Sequence, residues 1–146
     1  MRKIEGLTIV MMGASGGIGS ASAMQMAGKG VNLALCSVDG PALENLKGRL
    51  EEKGASVYAE VVDVTSNEQV GHFMKETAER FGVLDILINF AGLSVTADLA
   101  DLTPEKYDLV MDVNVKGMYQ ATREFIRYTD KDKGAMVINF GSMASK

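Results

Sequence analysis

A chain of 146 residues is long enough to bury roughly two thirds of its unfolded surface in one domain, so a single core forms without a metal or disulfide staple. With 47 % hydrophobic residues, 23 % charged residues and two prolines, the composition excludes extended disorder. Fifteen basic against 19 acidic residues give a net charge of -4 with no basic run, which argues against a nucleic-acid partner.

Leu7 to Met12 is a short apolar run, β-branched at its start, and reads as a strand buried on both faces. It passes directly into Gly13-Ala14-Ser15-Gly16-Gly17-Ile18-Gly19. From Ile18 to Ala27 the residues Ala21, Met24 and Ala27 recur at helical spacing; Gly28 and Gly30 stop the helix before Val31 to Leu35 resumes a strand. Pro41 opens a second helix whose Leu43, Leu46 and Leu50 share one face, and Gly54 ends it. Ser56 to Val62 is a third strand, after which Ser66 and Gln69 make a capping-box signature for a helix running to Phe81. Leu84 to Ile88 forms a fourth strand that gives way to Asn89-Phe90-Ala91-Gly92. Beyond a polar loop, Thr103 caps and Pro104 starts one long helix. Its Tyr107, Val110, Met111, Asn114, Met118, Ala121, Phe125 and Tyr128 keep a single 3.6-residue face. A charged turn at 129–134 leads to a fifth strand, Ala135 to Phe140.

Five strands alternating with four helices predict an α/β domain, a doubly wound parallel sheet covered on both faces with right-handed crossovers. A dinucleotide-binding wrap orders the strands 3-2-1-4-5, whereas a flavodoxin-like wrap of the same elements uses another order. No apolar stretch approaches the ~20 residues of a bilayer span, and no signal cleavage site follows Arg2 and Lys3, so a soluble, cytoplasmic protein with no membrane partner is expected. The lone Cys36 excludes an internal disulfide and a thiolate metal cluster.

Gly13, Gly17 and Gly19 sit between a strand and a helix, where a pyrophosphate needs free N–H groups, close backbone approach and the positive end of a helix dipole. No Lys-Ser or Lys-Thr pair follows, which excludes a Walker A loop. Tight-turn glycines without a ligand are the competing reading. It loses weight because Asp63, Asn89, Gly92 and Ser142 fall at the ends of strands 3, 4 and 5, where an open α/β sheet holds its ligand. Asn114 lies in the apolar stripe of the long helix and requires a partner, either the backbone of strand 4 or a water. His72, the only histidine, is placed on a helix away from the crevice, and the ten methionines are core filler.

Taken in order, these segments resemble the short-chain dehydrogenase/reductase family, in its β-ketoacyl-carrier-protein reductase-like branch. Met12-Gly13-Ala14-Ser15-Gly16-Gly17-Ile18-Gly19 is similar to the family's Thr-Gly-x-x-x-Gly-Ile-Gly loop, with Met12 in the threonine position. Asp63-Val64 resembles the adenine-contacting pair, and Asn89-Phe90-Ala91-Gly92 resembles Asn-Asn-Ala-Gly with Phe90 in place of the second asparagine. The resemblance implies NAD or NADP as cofactor and hydride transfer between nicotinamide and a carbonyl or alcohol substrate. It gives Ser142 the role of orienting the carbonyl oxygen and Asn114 that of holding a relay water.

The family's Tyr-x-x-x-Lys is expected beyond Ser142, and none of Tyr58, Tyr107, Tyr119 or Tyr128 has a lysine four positions on. Residues 1–146 are therefore read as a truncated NAD(P)-binding domain, inactive by itself. A catalytically silent dinucleotide-binding module and a structural or interaction protein are the alternatives. Leu35 and Cys36 occupy the end of strand 2, with Ser37 and Asp39 beyond and no basic residue nearby, which favours NAD. The apolar face of the long helix, which a family member buries in a subunit interface, predicts a homo-oligomer.

Overall fold

The computed structural model describes residues 4–142. Five parallel strands, β1 (Thr8–Met12), β2 (Asn32–Ser37), β3 (Ser56–Val61), β4 (Ile86–Asn89) and β5 (Met136–Asn139), form one sheet in the order β3-β2-β1-β4-β5. This is the dinucleotide-binding wrap, with the chain crossing from β3 over β1 to β4 at the sheet's switch point. Between the strands lie α1 (Gly17–Met26), α2 (Gly40–Glu51) and α3 (Asn67–Phe81), and before β5 stand α4 (Pro104–Met111) and α5 (Gly117–Phe125).

Alternation along β1 divides the core. Ile9 and Met11 join Leu33, Leu35 and Ile88 under Leu43, Leu46 and Leu50 of α2 on one face. Val10 and Met12 join Ala34, Cys36 and Leu87 under Phe73 and Met74 of α3 and Phe125 of α5 on the other. All five β1 residues are buried because a helix layer covers each face of a central strand. Gly82 ends α3 in the left-handed region (φ 83°), donating its N–H to Ala78 O at 2.8 Å, as a C-terminal glycine does. Among the described residues no helix is long and apolar enough to cross a membrane.

The sheet is not covered evenly. All four residues of β5 are exposed, Met136 at 53 %, whereas the alternation of strands and helices predicted cover on both faces. Among the described residues β5 pairs only with β4, through the register Ile86↔Met136 to Asn89↔Asn139, and stands at the edge of the sheet. Phe140 lies just past it against Phe90, with ring centroids 4.6 Å apart.

The single helix expected from Pro104 to Tyr128 is also corrected. A π-helical turn, Asp112–Lys116, interrupts it between α4 and α5, and a 3-10 turn, Ile126–Tyr128, follows. The π turn inserts extra residues per turn, so the apolar phase before it is not continued after it. Ala121 and Phe125 reach the core, but Tyr107 (52 %) and Met111 (38 %) are exposed and α4 buries nothing. Inside α5 the buried Glu124 carboxylate accepts from Arg123 Nη2 at 2.8 Å and lies 3.1 Å from Arg127 Nε, pairing a charge that burial would otherwise penalise.

Cys36 illustrates how complete the burial of the inner strands is. Its Sγ donates to Met12 Sδ at 3.5 Å, and burial raises the thiol from an ordinary 9.0 to about 12. A thiol held protonated by the fold contributes stability that is fully present below its unfolded value and is lost as pH climbs toward the folded one. Denaturant titrations should accordingly find stability falling between about pH 9 and pH 12, with that part of the slope absent in Cys36→Ala. At pH 8 a thiol reagent should label Cys36 only on unfolding.

Candidate functional site

The end of β1 is held from both sides. Cys36 O of β2 accepts from Gly13 N at 2.9 Å and Ala14 N at 2.8 Å; Met12 O accepts from Phe90 N and Ala91 N beyond β4, both at 2.9 Å. Gly13 takes φ 77°, and a Cβ there would lie 2.6 Å from Ala91 N, so neither its conformation nor its surroundings admit a side chain. Gly19 is required for a different reason, since a Cβ would fall 2.8 Å from the carbonyl oxygens of both Gly13 and Ala14. Gly17 contrasts with both. A Cβ there would meet nothing within 4 Å, and the residue lies in the exposed first turn of α1 with Ile18.

Gly16 is the N-cap of α1 and supplies no side-chain cap. The first-turn N–H groups of Gly17, Ile18 and Gly19 have no intrahelical carbonyl to bind, and the helix dipole adds positive potential at the same place. An end whose chemistry suits an anion thus opens over the C-terminal edge of the sheet. Beside it lies a cavity of about 370 Å³, within the range of small-molecule sites.

Seven of the candidates read from the sequence line this cavity: Gly13, Ser15, Gly16, Asp63, Val64, Ala91 and Gly92. Asn89 does not; it is buried and donates through Nδ2 to Asn139 Oδ1 at 2.7 Å, tying β4 to β5. Asn114 does not line the cavity either. It is half-buried, and its amide clamps the backbone of Leu93, accepting from Leu93 N and donating to Leu93 O, both at 2.8 Å. Of the two partners expected, the backbone of strand 4 or a water, the structure gives the backbone of the loop that follows strand 4. Leu93 in turn lines the cavity. Ser142 is exposed, three residues past the end of β5.

The end of β2 also differs from the sequence reading. Leu35 and Cys36 are fully buried within the strand, and the cavity is lined instead by Ser37, Val38 and Asp39. Ser37 Oγ lies 2.6 Å from Ser15 Oγ and accepts from Asp39 N at 3.2 Å, while Asp39 Oδ1 caps α2 through Ala42 N at 3.0 Å. Register decided this: β2 extends two residues further than its apolar run because Ser37 pairs with Val61 of β3. Phe90, Leu93 and Val113 complete the apolar wall. Val113 belongs to the π turn, which helical periodicity gives no means of detecting.

Asp63 is constrained on one side and open on the other. Its Oδ1 accepts from Thr65 N at 2.9 Å and Thr65 Oγ1 at 2.7 Å, while Oδ2 has no partner among the described residues. Among the residues lining the cavity there is no lysine, arginine or tyrosine. Tyr58 stands on β3, donates to Glu60 and stacks on Phe73 (centroids 5.6 Å), and burial together with the Glu60 bond pushes its phenol up. His72 is largely exposed, 3.7 Å from Glu60.

The sequence profile of the short chain dehydrogenase family matches residues 7–146. An uncharacterized oxidoreductase of Staphylococcus saprophyticus is 31 % identical over 99 % of this chain, which spans 62 % of that protein. A hexahydro-indene-carboxyl-CoA reductase of Mycobacterium tuberculosis is 34 % identical over 96 % of the chain and 55 % of its own length. Among solved structures, xylitol dehydrogenase with bound NAD+ superposes with a TM-score of 0.92 at 30 % identity, over 99 % of this chain and 56 % of that one. The chain thus spans a little over half the length of these relatives. With a family profile covering residues 7–146, almost its whole length, this chain belongs to the short chain dehydrogenase family.

Proposed function

We propose that these residues form a dinucleotide-binding module of an oxidoreductase, binding NAD(H) in preference to NADP(H) and catalytically silent by themselves. The uncapped N-terminus of α1 opening on a cavity at the sheet's switch point carries this reading. In it, the N–H groups of Gly17, Ile18 and Gly19 and the Ser15 hydroxyl hold the pyrophosphate, Gly16, whose own N–H donates to Gly13 O at 3.4 Å, lets it approach the backbone, and Gly13 keeps the turn close to β4. Asp63 and Val64 take the adenine. Asn89, Ala91 and Gly92 form the edge toward the nicotinamide, with Asn89 acting through its bond to β5. When bound, the nicotinamide supplies or removes a hydride at a carbon bearing oxygen.

The Asp39 carboxylate and the absence of lysine or arginine from the cavity lining disfavour a ribose phosphate and support NAD. Asn114 holds the Leu93 backbone and Ser142 can orient an oxygen, but the proton step of the family's reaction uses a tyrosine assisted by a lysine, and neither residue type lines the cavity. A substrate carbonyl therefore meets orientation without proton transfer.

Calorimetric titration should give saturable NAD(H) binding, weaker NADP(H) binding, and a loss of about tenfold or more (~1.4 kcal/mol) in Gly17→Val. The Gly17→Val melting temperature should stay near wild type, since its side chain projects into open space. NAD(P)H oxidation with ketones and aldehydes should show no turnover by material of verified mass; enzyme-dependent turnover would overturn the silent-module reading. We also propose self-association through exposed Leu109, Val115, Tyr119 and Ile126 and the open β5 edge. Sedimentation velocity over a wide concentration range should show growing oligomers, and a monomer throughout would sink that part.

A further inference from the structure

We infer that Gln69 and Gln120 are positioning residues that hold the Asp63 turn in the shape needed to read an exocyclic amine on the base of a bound dinucleotide. The inference rests on the dinucleotide reading above and goes beyond it in naming what makes that turn selective.

The connection from Val61 to Asn67 must satisfy its backbone groups while leaving Asp63 at the cavity. Val62 N donates to Ser37 O at 3.1 Å and Ser66 N to Asp63 O at 3.0 Å. Asp63 N–H and Val64 C=O find their partners elsewhere, in two side chains of one type on two different helices. Gln69 Oε1 of α3 accepts from Asp63 N at 2.8 Å; Gln120 Nε2 of α5 donates to Val64 O at 2.8 Å. Opposite ends of the same carboxamide are used, which a purely donating or purely accepting side chain could not do at both positions.

Each glutamine departs from its expected duty. Ser66 Oγ caps α3 by accepting from Gln69 N at 3.4 Å, but the Gln69 side chain goes to Asp63 N instead of returning to the cap residue. Gln120 is buried on α5, and the helix comes this close because Gly117 leaves room, a Cβ there falling 2.9 Å from Val64 Cγ2. With the backbone gripped on both sides and Oδ1 committed to Thr65, only Oδ2 of Asp63 is left for a ligand. An ionised carboxylate accepts and cannot donate, so this turn favours adenine, whose edge carries an amine, over hypoxanthine, which has a carbonyl oxygen there.

The test compares NAD with nicotinamide hypoxanthine dinucleotide by calorimetry in wild type, Gln69→Ala, Gln69→Glu, Gln120→Met and Asp63→Ala. Wild type should prefer the adenine form by about tenfold or more, and Asp63→Ala should abolish the preference. Gln69→Ala and Gln120→Met should each cut the ratio by about threefold or more, while Gln69→Glu, which keeps an acceptor of the same reach, should restore it. Should Gln120→Met fail to fold, the exposed Gln69 pair decides. An unchanged ratio in the folded glutamine variants, or equal binding of both dinucleotides by wild type, overturns the inference. If wild type binds neither dinucleotide, the dinucleotide reading itself falls.

Discussion

The contact between the glycine turn and the end of β4 is the constraint on which the rest of the molecule depends. A side chain at Gly13 would strike Ala91 N at 2.6 Å, so β1 can leave the sheet beside β4 only through a residue without one. The carbonyls of Met12 and Cys36, each accepting two N–H groups, fix the same corner from the other direction. This pins three central strands at their C-terminal ends. It also directs the first turn of α1 across the sheet edge, where its N–H groups have no side-chain cap.

From that corner, packing propagates unequally. On the α3 and α5 side, Phe73, Met74 and Phe125 close over β1, β2 and β4, and the paired Glu124 lets two polar helix faces meet without an unpaired charge. The inner face of α5 does more than cover the sheet. Through Gly117 and Gln120 it supports Val64, so the shape of the cavity wall is partly a property of helix packing. At the opposite limit, β5 is bonded to β4 along its length yet has exposed side chains, and strand pairing there exists without the burial that stabilises its neighbours.

Several side chains act where periodicity does not place them. Asn114 has the spacing of a core residue, but the π turn moves it off the buried stripe to grip Leu93 by both amide atoms. Asn89 has the position of a cofactor residue, but its amide crosses to Asn139 on β5. In both cases a short polar group is satisfied by a segment distant in sequence, at separations of 21 and 50 residues. A linear pattern holds no record of such a partner.

What the sequence determined by itself was local: β-branched apolar runs for the inner strands, leucines at helical spacing in α2, proline and threonine at the start of α4, and glycines at chain reversals. The placement of the glycine loop and Asp63 at strand ends beside one cavity was legible because a strand-to-helix turn and a strand end are local features too. The tertiary structure alone decided that β2 runs on to Ser37, that the long helix breaks at Asp112, and that β5 stays exposed. It also turned Gln69 from its own cap to Asp63 and brought Gln120 to Val64 from another helix. The physical reason is the same throughout: propensity and alternation act over a few neighbouring residues, whereas register, helix phase and buried hydrogen-bond partners are set by whichever distant segment arrives alongside.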